Sequence, residues 1–215
     1  MRGRRGPLPC CLIDRYVADA AGLDATVFHA VDTHVHADHV SGVRTVAERT
    51  GAEVVLPAGA ADRGLAFDAT LVGDGRSLTV GRTTPRALQA PSHTHEITAF
   101  AVTGGTDERS AADTTGVGVL LAGDSRLVGS VARPDLEGGV DGAPELAALR
   151  HGTLTERFAP LPDAVVVAPG HYDPVTTTAG SGVYVAAPGD LRESPPALSM
   201  DSEAFVGHVL SAMPP

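Results

Sequence analysis

At 215 residues the chain is long enough to bury a sizeable core, and 43% hydrophobic residues argue for a globular protein rather than a disordered one. Aromatic residues supply only 4% and tryptophan is absent, so Ala, Val and Leu must build that core. The formal charge of −10 arises from 26 acidic and 16 basic residues, all of the latter Arg, and an acidic surface of this kind repels phosphate backbones and argues against nucleic acid as a partner.

Cys10 and Cys11 are the only cysteines, and adjacent residues do not make a disulfide framework, so a reducing cytoplasm fits. The basic start M-R-G-R-R-G-P-L-P-C-C leads into no apolar run of signal-peptide or membrane-spanning length. The expectation is a cytoplasmic protein with no membrane partner. Residues 1–12 read as an unstructured start and residues 13–215 as a single domain.

Leu12, Ile13, Tyr16, Val17, Ala20 and Ala21 recur at helical spacing and stop at Gly22. Thr26–Val31 reads as a buried strand, and Val40–Thr50 as a helix ended by Gly51. Strands are expected at Glu53–Leu56, Ala69–Val72, Ser77–Val80, Thr84–Ala90, Ile97–Thr103 and Gly116–Ala122, with a polar hairpin loop over Gly104–Thr115. A helix over Glu145–Phe158, a buried strand Ala164–Ala168, an extended surface segment over 173–200 and a last helix Ser202–Leu210 complete the chain. Alternating strands and helices predict a layered α/β architecture.

Chemistry concentrates where these strands end. V-D-T-H-V-H-A-D-H-V-S-G, Val31–Gly42, packs three His and two Asp between Asp32 and His39. In extended chain, residues two apart point the same way, so His34 and His36 can present imidazoles to one point while Asp38 and His39 face a neighbouring one. Later strand ends carry His93 and His95 in P-S-H-T-H-E, Asp124 in L-L-A-G-D-S and His171 in A-P-G-H-Y. Imidazole with carboxylate suits zinc or iron and needs no thiolate.

The order H-x-H-x-D-H, P-S-H-T, G-D, P-G-H resembles the metallo-β-lactamase superfamily across nearly the whole chain from Ile13 onward. That resemblance implies an αββα sandwich with a metal centre at one edge of its two sheets. Carried over by motif, one metal takes His34, His36, His93 and Asp124, and a second takes Asp38, His39, His171 and the shared Asp124. V-D-T-H-V-H-A-D-H-V-S-G, A-R-P-D-L around Arg133 and the tail from Glu193 to Val206 are further similar to the persulfide dioxygenase branch.

In that branch a single Fe(II) sits on two His and one Asp, which implies His34, His93 and Asp124 here, with positions left for dioxygen and a low-molecular-weight thiol persulfide. His36, Asp38, His39 and His171 then orient the ligands, Arg133 holds an anionic part of the substrate, and Tyr172 donates a hydrogen bond near the metal. The alternative is a glyoxalase II type of hydrolase, with two Zn(II) activating water against a thioester, for which every dinuclear ligand is present. A third is an inactive domain that only binds metal. A homo-oligomer is compatible with either enzyme.

The sequence departs from the family in three places. Ser92 stands where the family motif P-G-H-T has glycine, and His95 adds an imidazole beside His93, the residue that aligns as ligand. Family members also begin with a β-meander before the segment matching Ile13 and continue beyond M-P-P, which implies a chain shortened at both ends and lacking early strands of the first sheet.

Overall fold

The computed structural model describes residues 10–35, 40–103, 117–125, 133–171 and 199–213. The hairpin loop expected over Gly104–Thr115 and nearly all of the surface segment over 173–200 lie outside the described residues. Backbone packing groups the chain into two compact units, residues 1–72 and 73–215.

In the first unit, α1 (Cys10–Gly22), β1 (His29–Val31), α2 (Val43–Thr50), β2 (Glu53–Pro57), a 3₁₀ turn (Ala58–Arg63) and β3 (Thr70–Val72) follow one another. Its described strands form a parallel sheet in the order β1-β2-β3, with His29 opposite Glu53 and Val55 opposite Thr70. Strand β1 starts three residues after the expected Thr26. Glu53 is where β2 begins, after the turn at Gly51, so the paired register starts with His29 opposite Glu53, and Phe28 contributes only its carbonyl, which accepts from Glu53 N. Gly51 ends α2 in the left-handed region (φ 76°) and donates its N–H to Ala47 O, the role that glycine fills at least cost.

Ile13 of α1 packs against the turn before α2. A Cβ on Gly42 would stand 3.1 Å from Ile13 Cδ1, so the glycine of the V-S-G motif lets helix and turn meet. Ala30, Val43 and Ala52 make the small buried core of this unit, with Val27, Val46 and Val54 packed on them.

In the second unit, β4 (Arg86–Gln89), β5 (Thr98–Thr103), β6 (Val117–Gly123) and β7 (Val166–Pro169) form one sheet in that order. The first three are antiparallel and β7 runs parallel to β6. The strand expected at Ser77–Val80 is reduced to isolated bridges from Ser77 to Arg86 and from Val80 to Thr83. Leu78 N donates to Pro85 O, but Pro85 has no N–H to return, so the ladder stops.

Helix α3 (Asp135–Gly152) starts ten residues before the expected Glu145 and continues into a π-helical turn, Thr153–Phe158. Its early part holds Gly138, Gly139 and Gly142 and then Pro144, a composition that hides a helix from propensity reasoning. The helix breaks at Gly139 (φ 64°, ψ −165°), and beyond the break Ala143, Leu146 and Ala147 turn a buried face inward. Asp135 and Glu137 occupy the first turn, where acidic side chains complement the helix dipole.

The last helix, α4 (Ser202–Ser211), is capped by Asp201, whose carboxylate accepts from Ala204 N at 2.9 Å. Phe205 and Val209, one turn apart on α4, join Leu88, Leu120, Leu161 and Val167 in the main core. The Phe205 ring lies 5.2 Å from that of His151 on α3. No helix among the described residues is long and apolar enough to cross a membrane.

Candidate metal centre

In the first unit the His-rich loop leaves β1 at Asp32, whose N–H bonds to Val55 O of β2. Its far end is tied back: Ser41 Oγ donates to Asp32 Oδ2 at 2.6 Å and accepts from Val43 N at 3.2 Å. Asp32 and Ser41 thus close the base of the loop, a role the motif text does not announce. Burial raises the Asp32 pKa above the ordinary carboxylate value, against the lowering effects of the Ser41 bond and of nearby His34. His34 is half-buried, with Nδ1 2.9 Å from Thr33 Oγ1. His36, Asp38 and His39 lie outside the described residues, as does Tyr172.

The second unit brings three of the expected residues together. Asp124 follows Gly123 at the end of β6, and His171 follows Gly170 just past β7. Because β6 and β7 are parallel neighbours, Gly123 pairs with Pro169 and Gly170 N donates to Gly123 O at 2.8 Å, so the two strand ends arrive side by side. His171 Nδ1 then donates to Asp124 Oδ1 at 2.6 Å. The other carboxylate oxygen, Oδ2, lies 3.7 Å from His93 Nε2, with both side chains almost wholly buried, at 6% and 2% exposure.

Hydroxyl groups anchor the loop that carries His93. Ser125 Oγ donates to Ala90 O at 2.6 Å, and Thr153 Oγ1, at the start of the π turn, donates to Pro91 O at 2.8 Å. Ser92 is itself buried, with Oγ 3.3 Å from Asp124 O and 3.4 Å from His93 Nδ1. Among the described residues only Asp24 is a non-glycine with positive φ, so the backbone at position 92 does not demand glycine.

His95 turns another way. Its backbone N–H and its Nδ1 both donate to Glu137 Oε2, each at 2.9 Å, and the ring is half exposed. Arg133 is exposed and holds Asp135 through Nε at 3.0 Å and Nη2 at 2.5 Å. That bond lowers the Asp135 pKa below its ordinary value and raises that of Arg133.

Two features of the second unit fit a metal ion. His93 Nε2 and Asp124 Oδ2 are donors of the kind first-row ions take, and 3.7 Å is within the span of two bonds of about 2 Å to one ion. Gly170 also leaves the carboxylate its place: a Cβ there would come 2.7 Å from Asp124 Oδ1 and 3.2 Å from the Gly123 carbonyl carbon. Gly170→Ala must therefore displace the carboxylate from the position in which His171 and His93 meet it. The expected result is metal affinity lowered at least tenfold with the far-ultraviolet circular dichroism unchanged; a titration giving wild-type affinity would contradict this.

No family model matches the chain. A metallo-β-lactamase from Staphylococcus aureus subsp. aureus COL superposes with TM-score 0.75 at 26% identity, over 94% of this chain and 58% of that one. ETHE1 from Myxococcus xanthus superposes with TM-score 0.73 at 27% identity, over 94% of this chain and 77% of that one. In sequence, a hydroxyacylglutathione hydrolase of Rhodospirillum rubrum is 33% identical over 90 residues, 40% of this chain. The match spans 35% of that curated relative's length. The fold is the metallo-β-lactamase fold, and these likenesses support the metallo-β-lactamase superfamily.

Proposed function

We propose that this protein is a metal-dependent oxidoreductase of the persulfide dioxygenase kind, with one Fe(II) on the ligands that the motif resemblance implies, His34, His93 and Asp124. The observation that carries this is the division of labour on Asp124. Oδ1 accepts from His171 Nδ1 at 2.6 Å, and Oδ2 faces His93 Nε2 at 3.7 Å, close enough for one ion to bind both. The likeness to ETHE1 over 94% of this chain supports the same branch.

When bound, Fe(II) would supply open positions where dioxygen and a persulfide sulfur meet. In the overall reaction one persulfide, one dioxygen and one water give one thiol and one sulfite. The sulfur–sulfur bond breaks, and the terminal sulfur gives four electrons to dioxygen. The chain's own part is to hold and orient. His171 fixes the carboxylate plane of Asp124, as partners of ligating carboxylates do. Arg133 keeps a guanidinium in one orientation by spending Nε and Nη2 on Asp135, and its third nitrogen carries two N–H donors for an anionic group on the thiol. Asp38, His39 and Tyr172 are proposed to act around the same centre.

One observation favours a second reading, hydrolysis of a thioester with two Zn(II): the 33% identity to a hydroxyacylglutathione hydrolase over 90 residues. There His36, Asp38, His39 and His171 would join the ligands. Oxygen uptake by iron-loaded protein given a low-molecular-weight persulfide, with sulfite as product, separates the two. We expect uptake, reduced by Arg133→Ala. Two zinc ions per chain, thioester hydrolysis and no oxygen uptake would sink the dioxygenase reading.

A further inference from the structure

We infer that Ser92 is a positioning residue that fixes the ring tautomer of His93 so that Nε2 presents a lone pair to the metal; this rests on His93 being a ligand. Ser92 stands where the resembled motif has glycine, and glycine offers no such group. Its hydroxyl is buried between two ligand-bearing loops, 3.3 Å from the Asp124 carbonyl oxygen and 3.4 Å from His93 Nδ1.

The direction of these bonds follows from what each atom can do. A carbonyl oxygen only accepts, so the single O–H of Ser92 donates to Asp124 O. Towards His93 the serine oxygen is then an acceptor, and Nδ1 must carry the proton. A neutral imidazole holds one proton, so Nε2 is left bare. Nε2 is also the atom that faces Asp124 Oδ2 at 3.7 Å. With alanine or glycine at position 92 this acceptor for the Nδ1 proton is lost, and part of the population would place a proton on the ligating nitrogen.

Nitrogen-15 NMR of the imidazoles in the metal-free full chain tests this alongside Zn(II) titration. Wild type should show His93 protonated at Nδ1. Ser92→Ala should give a mixture of tautomers and a loss of about ten- to a hundredfold in Zn(II) affinity, the range for removing a partner of a ligating histidine. Ser92→Thr, which keeps the hydroxyl, should restore both. An unchanged His93 tautomer in Ser92→Ala overturns the inference, even where affinity falls, because the serine would then serve packing alone. Unchanged Zn(II) affinity in His93→Ala overturns instead the reading of His93 as a ligand.

Discussion

Asp124→Ala abolishes metal binding and, with it, persulfide-dependent oxygen uptake. Asp124 uses both carboxylate oxygens, one on His171 and one on the His93 side, so alanine removes a donor and leaves two imidazoles facing a gap with no negative charge. Loss of an outer partner of a ligand typically costs 10–100-fold in affinity, and loss of the ligand itself should exceed about a hundredfold. The fold should survive. The bond that joins the two strand ends, Gly170 N to Gly123 O, and the one that anchors the His93 loop, Ser125 Oγ to Ala90 O, make no use of the carboxylate. Competition with a chelator measures the affinity, an oxygen electrode the turnover, and circular dichroism the fold. Metal retained at wild-type affinity in a folded Asp124→Ala protein would defeat the site.

The largest effect on stability is expected away from that centre. Phe205 is 1% exposed and is among the largest fully buried side chains described. It ties α4 to α3 through its contact with His151 and closes the main core beside Leu120 and Val167. Phe205→Ala should cost about 3–5 kcal/mol from lost burial and the cavity left behind. At about 2–4 °C per kcal/mol for a chain of this size, the melting temperature falls by roughly 10 °C. Urea unfolding with an unchanged slope checks the value, and a loss below about 1 kcal/mol would show that α4 contributes little.

Much of the fold was legible because its signals are local. Gly51 as the end of α2, the strand that leads into the His-rich loop and the apolar spacing of α1 each depend on a few neighbouring residues. The misplacements are equally instructive. Helix α3 begins at Asp135 although glycines and Pro144 argue against it, because the face formed by Ala143, Leu146 and Ala147 is held by burial that propensity does not register. Ser77–Val80 has strand composition but faces a proline, and a strand exists only where its partner can complete the ladder.

The kind of chemistry to look for could be read from local order alone: histidines and aspartates at the ends of strands, with no thiolate framework, are the residue types of an oxygen- and nitrogen-ligated metal site. How those residues are shared out depends on the fold. His171 reaches Asp124 across 47 positions because β6 and β7 are parallel neighbours, and His95 turns to Glu137, 42 positions away, rather than to Asp124. Strand order and helix placement set these meetings, and they arise from burial summed over a whole unit, which no stretch of sequence contains.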